Sequence, residues 1–127
     1  MLLDSTVLID ALRGRPAVRR IREMRRTGDE PWVCAISVEE ICRGIRDEEE
    51  QLARRLFRGL RVAPVGDSEG EVAGTWRRTF AQRGITLHQA DCLIAAAAGA
   101  IGADLATGNP GDFPMLGSRV QHWAVGS

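Results

Sequence analysis

The stretch LLDSTVL, residues 2–8, joins a short apolar run to an apolar helical pattern through one carboxylate, Asp4. Residues 1–3 predict a short buried strand, and residues 7–12 predict a helix that Gly14 ends. An open α/β sheet places its chemistry at the carboxyl ends of its strands, so Asp4 is a candidate site residue. A helix N-cap explains this aspartate equally well, and the residues leave both interpretations open.

The same alternation of apolar strand candidates and amphipathic helices continues along the chain. Further strands are predicted at residues 32–36, 61–65, 105–107 and 120–125. Further helices are predicted from residue 16 and over residues 38–46, 48–60, 68–83 and 86–100. This order predicts an α/β fold with a parallel sheet covered by helices on both sides. We expect residues 1–127 to form one domain.

The charged residues exclude several classes of protein. Seventeen basic residues balance seventeen acidic ones, so net charge does not indicate a nucleic-acid or membrane-surface protein. All the basic residues are arginines, which excludes a P-loop lysine, a Schiff base and a receiver-type lysine. The three cysteines form no C-x-x-C pair, so we expect a reduced, cytoplasmic compartment. No apolar stretch is long enough to predict a membrane span.

Asp91 lies in an apolar helical segment, residues 90–98, where a lone charge would be costly. A helix that begins with a capping box at Thr86 places Asp91 a full turn beyond the residues that benefit most from the helix dipole. The carboxylate therefore needs a partner. A metal or active-site role is favoured over a salt bridge to an arginine.

Other acidic residues have simpler structural interpretations. Ser37 and Glu40 have the spacing of a capping box, and the pattern alone favours that cap. Asp112 falls among turn-forming residues, where a solvated turn aspartate is the usual finding. Asp10 is expected to be solvated, and His88 stands without a catalytic motif around it.

Four segments in order along the chain resemble the motifs of PIN-domain ribonucleases, specifically the VapC-type toxins of bacterial toxin–antitoxin pairs. They are residues 2–8, the EICRG of residues 40–44, the ADCLIAA of residues 90–96, and Thr107-Gly108-Asn109 followed by Asp112-Phe113. The resemblance implies a three-layer α/β/α sandwich with a central, mainly parallel sheet of four to five strands. It also implies an endoribonuclease that uses Mg²⁺, or Mn²⁺, to activate a water molecule.

The resemblance assigns site residues as well. The acids that would bind the metal and act in catalysis are Asp4, Glu40, Asp91 and Asp112. The polar residues that would support them are Thr6, Thr107 and Asn109. This assignment favours a role in the active site for Glu40, against the helix cap that the local pattern favours. It likewise favours such a role for Asp112, against a solvated turn residue. Gly108 departs from the family pattern, because such toxins often carry a basic residue there.

The resemblance further implies a cognate VapB-type antitoxin that covers the cleft, an RNA substrate, and a homodimer or a hetero-oligomer with the antitoxin. An arginine stripe could contact the RNA backbone, although such stripes are usually solvated helix faces. Its members are Arg15, Arg19, Arg22 and Arg26. The alternative function is a non-catalytic PIN-like module that binds an antitoxin or RNA without cleavage. A receiver-like domain is disfavoured by the absence of lysine.

Overall fold

Strands and helices alternate along the chain, as the sequence predicts; the computed structural model describes residues 1–126. The strands are β1 Leu2–Leu3, β2 Trp32–Cys34, β3 Arg61–Ala63, β4 Leu105–Thr107 and β5 Val120–His122. The helices are α1 Ser5–Leu12, α2 Ala17–Arg26, α3 Ala35–Gly44, α4 Glu50–Arg58, α5 Asp67–Ala81 and α6 Gln89–Ala100. Short 3₁₀ turns lie at Asp47–Glu49, Pro110–Asp112 and Pro114–Arg119. Within residues 1–126, none of the helices has the length and apolar character needed to cross a membrane.

The strands form one sheet in the order β3-β2-β1-β4-β5, and every neighbouring pair is parallel. This arrangement confirms the predicted parallel α/β fold. From the central β1 the chain builds one half of the sheet through β2 and β3, and then crosses to β4 on the other side. The topological switch point therefore lies between β1 and β4, where ligands bind in sheets of this kind.

Helices cover both faces of the sheet, which confirms the three-layer arrangement. Leu3 and Ala106 face a core formed mainly with α1, α2 and α3. Leu2 and Leu105 face the opposite core, which the small side chains of α6 complete. Helix α5 packs on the outside of α6. Because successive strand residues point to opposite faces, two-residue and three-residue strands are enough to contact both layers.

Two helices lack the capping box that the sequence predicts at their starts. β2 ends at Cys34 and α3 begins at Ala35, so Ser37 lies inside the first turn of α3 and not at its N-cap. Helix α6 begins at Gln89 with His88 as its N-cap residue, so the predicted cap at Thr86 is wrong. A short apolar run such as residues 32–36 has no periodicity that separates strand from helix, and here the sheet edge sets the boundary.

Asp10 is not solvated, contrary to the sequence-based expectation. Its side chain is 3% exposed. Asp10 Oδ2 accepts a hydrogen bond from the backbone N–H of Ala17 at 3.0 Å, and Oδ1 accepts one from the backbone N–H of Gly126 at 2.9 Å. One carboxylate thus joins α1, the start of α2 and residues 123–126, which we call the tail.

Replacing Asp10 should destabilise the protein. Asp10→Ala removes two hydrogen bonds to a charged acceptor and leaves the buried N–H of Ala17 and the partly buried N–H of Gly126 unpaired, so we expect a loss of roughly 2–4 kcal/mol. Asp29→Ala, at an exposed turn residue, is the matched control and should change stability by less than about 0.5 kcal/mol. Urea unfolding measures both variants. Equal midpoints for the two would show that Asp10 does not join these segments.

Candidate functional site

Asp4 occupies the switch point of the sheet. It follows β1 directly and lies beside Thr107, the last residue of β4, since the backbone N–H of Asp4 donates to the carbonyl oxygen of Ala106 at 3.1 Å. Its side chain is 4% exposed. A carboxylate is therefore buried at the place where the sheet topology opens a crevice.

Both carboxylate oxygens of Asp4 accept hydrogen bonds. Oδ1 accepts from Thr6 Oγ1 at 2.5 Å and from the backbone N–H of Val7 at 3.2 Å. Oδ2 accepts from Thr107 Oγ1 at 2.5 Å. The bond from Val7 makes Asp4 the N-cap of α1, so the capping interpretation is correct and does not compete with a place in the site. Burial raises the pKa of Asp4, although the hydrogen bonds from Thr107 and Thr6 act in the opposite direction.

Glu40 is not the partner in a capping box. Because α3 begins at Ala35, Glu40 lies in the second turn, away from the helix N-terminus. Its Oε1 atom is buried and has no hydrogen-bond partner in residues 1–126, and the same holds for Ser37 Oγ. A buried carboxylate oxygen without a donor is costly and rare in folded proteins. Such an oxygen is suited to a cation or another donor from outside the chain.

Asp91 lies in the first turn of α6. Its pKa is raised from 3.8 to about 6, mainly by burial and then by the negative charges of Asp112, Glu40 and Asp4; His88 acts in the opposite direction. The predicted alternative of a salt bridge is wrong, because no arginine in the described part of the chain pairs with Asp91. A helix N-terminus normally favours a carboxylate, so burial and repulsion outweigh it here.

Asp112 and Asn109 lie at the exposed rim of the site. The backbone N–H of Asn109 donates to Thr107 Oγ1 at 3.0 Å, and that of Asp112 donates to the carbonyl oxygen of Asn109 at 3.1 Å. The turn interpretation of Asp112 therefore describes its backbone correctly. Its carboxylate is nevertheless the neighbouring charge with the largest effect on the pKa of Asp91.

The four predicted acids are near enough to interact electrostatically, but their side chains do not converge on one point. In residues 1–126 no group of three or more His, Cys, Asp or Glu side chains is arranged to hold a metal ion. The structure thus brings the four carboxylates to one end of the sheet without forming a closed set of ligands. The arginine stripe lies apart from them, on α2 and the turn before it.

Gly108 lies between the site and the tail. Its backbone N–H donates to Thr6 Oγ1 at 2.9 Å. A Cβ atom at this position would lie 2.7 Å from Val125 Cγ2 and 3.2 Å from Thr6 Oγ1. The tail is anchored there by a hydrogen bond from the backbone N–H of Trp123 to the carbonyl oxygen of Thr107, at 2.9 Å. Val125 therefore fills the space that a side chain at residue 108 would need.

Sequence reasoning missed three residues of this region. The sequence predicts only a cap for Ser37, shows no catalytic motif around His88, and predicts that Val125 continues the last strand. β5 ends at His122 instead, which frees the tail to cross over Gly108. Only His88 carries a usable signal, since it lies three residues before Asp91 in the sequence.

The close packing at Gly108 predicts a rescue between two positions. Gly108→Ala should destabilise the protein by about 1–3 kcal/mol, because the new methyl group overlaps Val125. In a Val125→Ala background the same change should cost much less. Urea unfolding of the wild type, the two single variants and the double variant provides the double-mutant cycle that measures this coupling. Additive effects would show that Val125 does not limit the size of residue 108.

The raised pKa of Asp91 predicts how stability depends on pH. The stability that Asp91 contributes is fully present below its unfolded pKa of 3.8 and is lost as pH rises through about 6. In EDTA, wild-type protein should therefore lose stability over this window relative to Asp91→Asn, whose amide does not titrate. Urea unfolding across the window measures the difference. Asp29→Asn should follow the wild type, and parallel curves for wild type and Asp91→Asn would contradict the assignment.

Comparisons with known proteins agree with this fold. The family model described as PIN domain matches residues 1–114. Ribonuclease VapC10 of Mycobacterium tuberculosis is 33% identical over 125 residues, covering 98% of this chain and 94% of the relative. Ribonuclease VapC19 of the same organism is 30% identical over 116 residues, covering 91% of this chain and 93% of the relative. The crystal structure of DNA-bound VapBC from Salmonella typhimurium aligns with a TM-score of 0.81 at 21% identity and covers 96% of each chain. The chain belongs to the PIN domain family and, within it, to the VapC-type ribonuclease toxins.

Proposed function

We propose that this protein is a Mg²⁺-dependent endoribonuclease, able to use Mn²⁺, that hydrolyses RNA phosphodiester bonds. The observation that carries the proposal is the uncompensated negative charge around Asp91, whose pKa is raised to about 6 by burial and by Asp112, Glu40 and Asp4. No basic side chain in residues 1–126 forms an ion pair with any of these four acids. A cation that binds only the folded protein would relieve this repulsion.

The donor atoms fit a hard divalent ion. All four acids offer carboxylate oxygens, the ligands that Mg²⁺ and Mn²⁺ prefer, and Glu40 Oε1 lacks any other partner among residues 1–126. Asp4 and Asp91 would be the main ligands, with Glu40 and Asp112 completing the set. Because the side chains do not share one centre in this structure, some of them would turn toward the ion. When bound, the ion supplies positive charge against the negative charge that develops on the phosphate oxygens.

The remaining steps belong to the protein's own groups. Thr6 and Thr107 hold Asp4 in one orientation, so this carboxylate is positioned before the substrate arrives. Glu40 or Asp112 would orient the attacking water and accept its proton. Asn109, exposed at the rim, would contact the phosphate that is cut. The bond from the water oxygen to phosphorus would form as the bond from phosphorus to the leaving ribose oxygen breaks. The proton taken up by the carboxylate would then pass, through solvent, to that ribose oxygen.

We also propose a VapB-type antitoxin as the partner of this chain. The Salmonella structure contains a VapBC pair bound to DNA, and a structure from Klebsiella pneumoniae is described as a toxin–antitoxin complex. An antitoxin segment that carries a positive charge would suit the acidic cleft and would exclude both the ion and the RNA. A hetero-oligomer is then the resting state of the protein.

Purified, antitoxin-free protein should cleave end-labelled RNA in Mg²⁺ or Mn²⁺ and not in EDTA. Asp91→Asn should reduce cleavage by roughly 100-fold or more, because several kcal/mol of charge stabilisation would be lost. The variant is expected to be at least as stable as the wild type near neutral pH, so lost cleavage would not reflect unfolding. Gel analysis of initial rates measures the effect, with Asp29→Asn as the unchanged control.

A second readout separates binding of the ion from chemistry. Mg²⁺ should raise the melting temperature of the wild type and of Asp29→Asn but not that of Asp91→Asn. Metal-loaded, folded protein that cleaves neither structured nor unstructured RNA would overturn the nuclease. It would leave the non-catalytic binding module as the better interpretation.

A further inference from the structure

The arginines on α2 and in the turn before it fall into two groups. Four of them are held by other groups of the protein: Arg13 by the carboxylate of Glu49, Arg20 by the ring of Trp123, Arg25 by the carbonyl oxygen of Gly59, and Arg26 by the carboxylate of Glu23. Arg26 therefore carries little free charge, although it belongs to the stripe that the sequence suggests. The structure thus separates Arg26 from the other three arginines of the stripe.

The arginine cluster, which we define as Arg15, Arg19 and Arg22, is different. Within residues 1–126 the guanidinium groups of these three residues make neither an ion pair nor a hydrogen bond, and all three residues are exposed. They line one surface depression of about 570 Å³. Its other lining residues are Gly14, Pro16 and Val18. Three like charges in one concave surface, with no acid among the residues that line it, raise the local concentration of anions.

The side chains, and not the helix N-terminus, must supply the binding groups. The first backbone N–H of α2, at Ala17, already donates to Asp10, and the next, at Val18, donates to the carbonyl oxygen of Arg15. Guanidinium groups remain, and they match phosphate oxygens through paired N–H donors. The lining offers few apolar side chains, so the depression does not resemble the centre of a protein–protein interface.

A short series of contacts connects the arginine cluster to the carboxylate site. It begins two residues before Ala17, which shares the carboxylate of Asp10 with the tail residue Gly126. The preceding tail residue, Val125, packs over Gly108 in the loop that follows β4. Helix α1, which links the two regions, has eight residues and is therefore about 12 Å long. A strand of a few nucleotides spans such a distance.

We propose that Arg15, Arg19 and Arg22 form a docking surface for the phosphate backbone of single-stranded RNA, beside the carboxylate cleft and separate from it. This inference rests on the proposed function, because it assigns the RNA that is cut to this surface. The positive cluster attracts the strand that the acidic cleft repels. The arginine cluster would therefore hold the RNA, and the acidic cleft would act on it.

The test measures binding without cleavage. Fluorescence anisotropy of a labelled single-stranded RNA in EDTA gives the dissociation constant as a function of salt. Each lost phosphate contact should reduce the slope of log K against log salt by about 0.7, equivalent to roughly fivefold in affinity at about 0.1 M salt. Arg15→Gln, Arg19→Gln and Arg22→Gln should each show this change, and the triple variant should lose roughly 100-fold. Arg26→Gln, whose charge is already paired, is the matched control and should bind like the wild type.

Every outcome decides between the alternatives. Variants of the arginine cluster that match Arg26→Gln in both slope and affinity would overturn the docking surface. An acidic peptide that binds the wild type but not the triple variant, while RNA binds both equally, would assign the surface to a protein partner instead. Loss of RNA binding in the triple variant, with no cleavage by wild-type protein in Mg²⁺, would support the surface while rejecting the nuclease.

Discussion

The hydrogen bond between Thr107 and Asp4 connects the end of the fourth strand to the end of the first, 103 residues away along the chain. It orients the most buried carboxylate of the site at the switch point of the sheet. Through Thr6 and Gly108, the same carboxylate is linked to the loop that carries Asn109 and Asp112. Burial makes this charge unfavourable, and the donors around it offset part of that cost.

The surroundings of Asp4 show how a neutral chain can hold a strongly acidic centre. Positive and negative residues are equal in number, yet no arginine in residues 1–126 forms an ion pair with the site acids. Ion pairs such as Arg43 with Glu39 and Arg54 with Glu50 lie instead on exposed helix surfaces. Surface pairs of this kind contribute little stability. The stability that permits the repulsion comes from apolar packing on both faces of the sheet, including that of α6. The net charge of the chain is therefore zero, while the candidate site carries an excess of negative charge.

The type and order of the elements could be predicted from the sequence, because short apolar runs and amphipathic segments alternate clearly. The starts of α3 and α6 could not, since the capping signals at Ser37 and Thr86 are local; α3 begins where β2 ends, and α6 begins after the loop that follows α5. Burial of Asp10 left no local pattern, because its partners are distant backbone groups. Local patterns favoured a cap for Glu40 and a turn for Asp112, and only the family resemblance grouped them with Asp4 and Asp91. Their catalytic roles stay predictions.

The distance along the chain between β1 and β4 has a consequence for synthesis. A protein is made from its N-terminus and folds as its parts become available. Asp4, Glu40 and Asp91 are all translated before Thr107, so a growing chain carries three acids of the site without the strand that orients the first of them. Incomplete products therefore lack the assembled centre. Whatever activity the site has arises only after Thr107 has been translated, and chains that stop before this residue should lack it.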